Sequence, residues 1–235
     1  MRTLQKSVLV KLIIVVSFFS SALVCQAEDF SKPDELVMKS EAVFKSFMAD
    51  PNMEWFRNNV GNAKGIFIVP QMIRGGLIIG GSGGSGILLA QDYKSGKWSY
   101  PAFYTMGSVS FGLQIGADVS EIILMVMTNR GMDAMLSTEF KLGGDVALAA
   151  GPVGASAKAQ TADVLAYGRA KGAFGGISVE GAVIKPRYQL NDTFYGQQVR
   201  LADILFNQAV SNEKADGLRS VLPDRKRNAK PLGTN

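Results

Sequence analysis

The chain contains no histidine, and its single cysteine, Cys25, lies near the start of its 235 residues. These two gaps remove whole classes of chemistry. Without imidazole there is no Ser-His or Cys-His catalytic pair, and one thiol allows neither an intrachain disulfide nor a zinc site built from Cys and His. Cys25 itself sits at the end of a distinctive N-terminal stretch. Arg2, Lys6 and Lys11 form a basic segment, Leu12 to Val24 is apolar and uncharged, and Cys25-Gln26-Ala27 places small residues at the −3 and −1 positions of a cleavage site before Glu28 and Asp29. This pattern predicts a secretory signal peptide over residues 1–27, hence export to a periplasm or cell envelope, or secretion. The alternative is a retained anchor, but the run is short against the ~20 apolar residues that a bilayer core requires. Cys25 also raises a lipoprotein reading, which Val24 fits poorly, because Gly, Ala or Ser normally precedes a lipidated cysteine. Cleavage after Ala27 leaves a mature chain with neither thiol nor imidazole.

Broad basic charge is lacking as well, despite a sequence pI near 9.3. The signal segment holds three bases and no acid, so 22 bases face 20 acids in the remainder. Arg225, Lys226, Arg227 and Lys230 crowd the last thirteen residues against Asp224 alone, leaving 18 bases and 19 acids in the body. The excess of positive charge thus belongs to the two ends. A nearly neutral body does not offer the basic surface of a general nucleic-acid binder, so no nucleic-acid partner is expected.

What the chain has in quantity is glycine, 26 residues. The stretch from residue 28 to 222 suits one domain, at the ~100–200 residues typical of a domain, followed by a disordered basic tail over 223–235. Ser31-Lys32-Pro33-Asp34 reads as a helix start. Leu36, Val43 and Phe47, with Val37, Phe44 and Met48 on the adjoining stripe, predict an amphipathic helix ending near Asp50-Pro51. Its default role is packing on a core, and its apolar stripe is the other resource for a membrane. A short helix is expected around Met53–Asn59.

From Lys64 the pattern becomes β. Gly65–Pro70, Leu77–Ile79 and Ile87–Leu89 read as short apolar runs, the last two separated by Gly80–Gly86. Trp98–Tyr104, Ser108–Leu113 and Ile122–Met127 are further strand candidates, with core packing the default for the aromatics. Met132–Thr138 reads as a short helix. The Ala- and Gly-rich Asp145–Ala159 reads as strands with small side chains, and Val164–Arg169 and Phe174–Ile184 continue the β pattern. A last helix is expected over Gln198–Val210. The class is therefore α+β, with helices at both ends of a β-rich core.

Two motifs invite catalytic or nucleotide readings and fail on context. Gly81-Ser82-Gly83-Gly84-Ser85-Gly86 matches the dinucleotide glycine spacing, but the following Ile87–Asp92 is strand-like, with no helix N-terminus to receive a pyrophosphate. Gly80-Gly81-Ser82-Gly83-Gly84 matches a nucleophile elbow, yet no histidine exists to take the serine proton. Asp118, Glu121, Asp133, Glu139 and Asp145 have neither calcium-loop nor glycosidase spacing and read as solvated acids near turns. No catalytic residue, metal ligand or cofactor is assigned.

An ordered set of segments does carry a resemblance. Ala63-Lys64-Gly65-Ile66, the run Gly80–Ala90, Trp98-Ser99 with Pro101-Ala102-Phe103, Gly112–Gly116, Gly143-Gly144-Asp145, Ala149–Gly154 and Tyr167–Gly181 resemble the SYLF domain over roughly residues 35–210. The resemblance implies an antiparallel sheet or barrel-like core and a non-enzymatic protein that binds anionic phospholipids, phosphoinositides in eukaryotic members. It also implies an actin-binding kinship through yeast relatives. Actin and cytosolic phosphoinositides suit an exported chain poorly, so phosphatidylglycerol, cardiolipin or lipopolysaccharide would be the available ligands. Lys64, Arg169 and Lys171 sit within the resembling segments. With Arg74, which precedes the glycine run, they are the expected lipid-binding cations. A structural or interaction protein of the envelope without headgroup preference is the other reading.

Overall fold

The computed structural model describes residues 33–76, 79–111, 116–152, 161–170, 173–174 and 179–225. The expected signal peptide with Cys25, the stretch 226–235 and Lys171 lie outside the described residues. Chain contacts divide after Lys32, and every described residue falls in the second unit.

Helix α1, Pro33–Ala49, forms where the apolar spacing predicts it. Asp34 and Glu35 occupy its first turn, where the helix dipole favours acids. Glu35–Lys39 (2.7 Å) and Glu41–Lys45 (2.5 Å) pair one turn apart on its outer side. Both apolar stripes are used: Leu36, Val37, Val43, Phe44 and Phe47 are all buried. The helix lies on the sheet, so its stripe is committed to the core. Helix α2, Glu54–Asn59, follows and inserts Phe56 between Phe44 (6.0 Å between ring centres) and Tyr167 (5.0 Å).

The strands are β1 Gly65–Gly76, β2 Ile79–Ala90, β3 Ala102–Phe111, β4 Gly116–Val126, β5 Phe140–Lys141, β6 Leu148–Ala150, β7 Val164–Ala170, β8 Ala173–Phe174 and β9 Val183–Pro186. They form one curled sheet, a half-barrel in the order β5-β9-β3-β2-β1-β4-β7-β6, with β8 on β7. Every pairing is antiparallel except β6 with β7. Successive side chains alternate faces, and over Ile66–Val69, Ile87–Ala90 and Ile122–Val126 both faces are covered. Ile66, Ile68, Ile87, Leu89, Phe103, Ile123 and Met125 share one buried cluster with residues of α1 and α2. Phe67, Val69, Leu88, Tyr104, Ile122 and Leu124 meet the opposite layer, which includes α3, Asn129–Met135, and α5, Leu201–Leu205. Double coverage explains why these segments are unbroken apolar runs in the sequence.

Several expectations need correction. Gly80–Gly86 is not a connector: it runs inside β2, paired with β1 on one side and β3 on the other. Strand β3 begins at Ala102, and Trp98 makes only an isolated bridge to Gln91. The helix expected at Met132–Thr138 starts earlier, at Asn129, because Thr128 caps it by accepting from the Gly131 amide at 3.1 Å. Of Asp145–Ala159 only Leu148–Ala150 is a described strand, and 153–160 lie outside the described residues. The helix expected over Gln198–Val210 is five residues long. Helices α4, Tyr188–Tyr195, and α6, Asp216–Val221, had no sequence forecast.

The α3 cap is tied to β6 by one carboxylate. Asp163, buried, accepts from the Thr128 hydroxyl (2.5 Å) and the Ala147 amide (2.9 Å), with Arg130 at 3.8 Å. The Thr128 hydrogen bond, ahead of the others, holds its carboxyl below the ordinary aspartate value. A lowered native value means that this stabilisation is complete above the unfolded-state pKa and disappears as pH falls through the native one. Asp163→Asn is expected to cost about 1–2 kcal/mol near neutrality. In urea melts the gap between the two proteins should close as pH drops below about 4. A gap independent of pH would remove the carboxylate's charge from this account.

Candidate functional site

One cavity among the described residues gathers charged and aromatic side chains from five separate stretches of chain. It has a volume of about 260 Å³. Lys64 enters it from the residue before β1, and Gln91, Asp92 and Tyr93 from the turn after β2. Asn129, Met132 and Asp133 come from α3, Leu205 and Phe206 from the end of α5, and Arg225 from the C-terminal segment.

The turn is built by Asp92. Its Oδ1 accepts from the Ser95 amide (2.6 Å) and the Lys94 amide (3.0 Å). These bonds, that from Ser95 foremost, keep its carboxyl below the ordinary range. Gly96, at φ +75°, completes the turn in a left-handed conformation that side chains avoid. Tyr93 is left standing outward, 75% exposed. Lys64 lies over its ring at 6.0 Å and Arg225 at 4.6 Å, so two cations share one aromatic face region. Phe206, 46% exposed, adds a second ring at the cavity. Neither Lys64 nor Arg225 has an ion-pair partner among the described residues.

Arg225 reaches this place because the chain end is anchored. The Trp98 indole donates to the Pro223 carbonyl at 3.0 Å. Arg219 donates to the Trp98 carbonyl at 3.0 Å and lies 3.9 Å over the Tyr100 ring, whose hydroxyl donates to Asp216 at 2.9 Å. The Arg225 amide then donates to the Gly96 carbonyl at 3.3 Å. Residues 223–225, the first of the stretch expected as tail, are therefore held against the body.

Of the four cations named from sequence, the three described ones are not brought together. Lys64 lines the cavity. Arg74, half-buried on β1 opposite Ser82 and Asp118, makes no ion pair among the described residues. Arg169 is turned inward. Its side chain is 11% exposed, donates to Glu121 Oε2 through Nε (2.9 Å) and Nη2, donates to Ser46 (2.8 Å), and covers the Phe47 ring at 4.9 Å. Lys171 lies outside the described residues. Sequence reading missed Arg225 as a site residue by assigning it to the tail. Tyr93, Gln91 and Asp133 carried no local signal, since only the fold makes them neighbours.

The glycine match to a dinucleotide loop ends in strand, as its context predicts, and among the described residues the Ser82 hydroxyl bonds to the Ser108 hydroxyl at 2.8 Å. No group of three or more His, Cys, Asp or Glu suited to a metal occurs among the described residues.

Comparison with known proteins places the chain in a family. The family model described as Ysc84, Las17-binding protein actin regulator, matches residues 107–225, which extends to Arg225. The human SH3 domain-containing YSC84-like protein 1 is 32% identical over 169 residues, covering 69% of this chain and 49% of that protein. From Saccharomyces cerevisiae, LAS seventeen-binding protein 3 is 34% identical over 180 residues (72% of this chain, 38% of the relative). Protein YSC84 of the same yeast is 31% identical over 203 residues (80% and 42%). The chain thus spans about half or less of the length of these curated relatives, and it belongs to the SYLF, or Ysc84, family.

Proposed function

We propose that this chain is an exported, non-enzymatic protein that binds anionic phospholipid surfaces. The observation that carries the reading is the flanking of exposed Tyr93 by Lys64 and Arg225, which make no ion pair among the described residues, with Phe206 nearby. Cations beside exposed rings suit the level of phosphates and glycerol at a membrane surface, where an aromatic body is half wet. The cavity is small, at about 260 Å³, so it supports contact with headgroups rather than storage of acyl chains. The lack of histidine in the whole sequence supports binding without catalysis. The names of the relatives connect them with Las17 and actin. Neither is a natural partner for a chain that leaves the cytosol, and lipid is the ligand class this site favours.

The test is co-sedimentation with vesicles of phosphatidylcholine alone and with added phosphatidylglycerol. Each cation near an anionic leaflet contributes ~1 kcal/mol, so Lys64→Gln with Arg225→Gln is expected to lower partitioning on the order of 30-fold. Binding should also fall steeply with salt. Equal pelleting with neutral and anionic vesicles would refute the reading. A second reading, an interaction protein without headgroup preference, draws on the far end of the sheet. There Ile73 and Val119 are cross-strand neighbours, 38% and 41% exposed, and Val109 is 72% exposed. Vesicle binding insensitive to charge would favour it.

A further inference from the structure

The cavity beside Tyr93 carries more than a positive rim, and the geometry points to a headgroup pocket for a zwitterion: a phosphodiester linked by a short chain to a primary ammonium, as in phosphoethanolamine. This deepens the lipid reading above and rests on it for the source of the ligand. Four observations carry it.

First, the lining is charged in both senses. Lys64 and Arg225 face the same cavity as Asp133 and Asp92. Asp133 stands exposed on α3 and, like the two cations, has no ion-pair partner among the described residues. A purely anionic group drawn to Lys64 and Arg225 would meet two carboxylates across a small space, and a purely cationic one would meet two bases. Only a ligand with both charges answers all four side chains.

Second, the wall of the cavity holds a donor without a partner among the described residues. Gln91 lines the cavity, and its Nε2 is buried with no hydrogen bond. A buried amide without an acceptor costs free energy that a phosphate oxygen would relieve once the Gln91 side chain turned toward it.

Third, the size suits a headgroup alone. At about 260 Å³ the cavity is below the ~300–1,000 Å³ of pockets that enclose drug-sized ligands, so acyl chains would remain outside. Tyr93 and Phe206, both exposed, stand where a glycerol backbone would leave.

Fourth, the division of labour fits the donors. A guanidinium and an ammonium suit a phosphodiester, and the free carboxylate of Asp133 accepts from a primary ammonium, which offers three N–H donors. Asp92 spends Oδ1 on the turn amides and contributes chiefly its charge.

The experiment titrates the purified chain by calorimetry with two soluble probes, glycerophosphoethanolamine and glycerophosphoglycerol, which share the phosphodiester and differ in the ammonium. Glycerophosphoethanolamine is expected to bind about tenfold more tightly, the effect of one additional charge-assisted contact. Asp133→Asn, an exposed and shape-preserving change, should erase that preference, because it removes the acceptor of the ammonium and also a charge that repels the anionic probe. Lys64→Gln should weaken both. Equal affinity for the two probes, or a preference that survives Asp133→Asn, would overturn the pocket assignment. The same proteins are then tested on phosphatidylglycerol vesicles with and without phosphatidylethanolamine. Anionic vesicle binding without probe selectivity sinks the pocket and leaves surface attachment standing. Probe selectivity without any vesicle binding sinks the membrane reading and identifies the ligand as a free zwitterion.

Discussion

Gly84→Ala is expected to destabilise the protein by about 3 kcal/mol, whereas Gly83→Ala, one residue away, should fall within about ±0.5 kcal/mol. Both glycines lie in the same strand, β2, and both belong to the run that resembles a nucleotide loop. They differ in what their Cα atoms face. A Cβ on Gly84 would stand 2.5 Å from the Gln71 carbonyl oxygen, 2.8 Å from Val69 Cγ1 and 3.2 Å from Met72 Cα. A Cβ on Gly83 would meet nothing within 4 Å. The crowding arises from β1, whose pairing with β2 shifts register between Ile68 and Ile73 and brings that stretch of backbone over Gly84. Strand β1 is held on its other side by β4 through Val69 and Met72, the residues that flank the Pro70–Gln71 stretch. The obstacle is backbone rather than the end of a flexible side chain, so no rotamer change relieves it. Thermal melts should show a loss of about 6–12 °C for Gly84→Ala and little change for Gly83→Ala. Equal tolerance at the two positions would mean that the run is a pliable loop after all.

That pair of residues also shows where sequence reading stops. Long apolar segments such as Ile66–Val69 and Ile122–Val126 announce themselves, because burial on both faces removes every polar interruption. Helix α1 is equally plain, since its period matches a single covered side. The glycine run carries no local mark of a strand because glycine weakens strands, and the reason for its presence is a neighbouring strand's irregularity that no local pattern encodes. Helix α4 escaped notice for a related reason. Its buried contacts include Asn191, fully buried, which accepts from the Phe103 amide at 2.8 Å, so a polar residue sits where the apolar period would continue. The forecast last helix was too long because Gln208, at φ +47°, leaves the helical region just after α5. In the site, Lys64 was readable through the resembling segment, while Asp133, Gln91 and Tyr93 become neighbours only when α3 and the turn after β2 meet. Arg225 was hidden by its basic surroundings: charge alone suggested a tail, and the Trp98–Pro223 hydrogen bond places it.

Arg169 brings the resemblance and the structure into direct competition, and a single substitution separates them. Sequence similarity nominates it as a lipid-binding cation. Its surroundings give it a structural task, holding α1 to β4 and β7 through Glu121, Ser46 and the Phe47 ring. Arg169→Met keeps much of the apolar stem but removes every one of these donors, leaving Glu121 without its partner on a partly covered strand. Breaking a fully buried pair costs roughly 3–5 kcal/mol, and with Glu121 one-third exposed a loss of about 2–3 kcal/mol is expected. Adding Glu121→Gln should recover part of that loss, because the second change removes the stranded charge, and the double-mutant cycle reads this coupling. The decisive measurement is vesicle partitioning of the folded fraction. A paired, inward guanidinium that serves α1 predicts the same affinity for anionic vesicles in Arg169→Met as in the parent, in contrast to the Lys64 and Arg225 variants. A fall in affinity comparable to theirs, with the melting temperature unchanged, would instead return Arg169 to the membrane surface and require the Glu121 pair to open on binding.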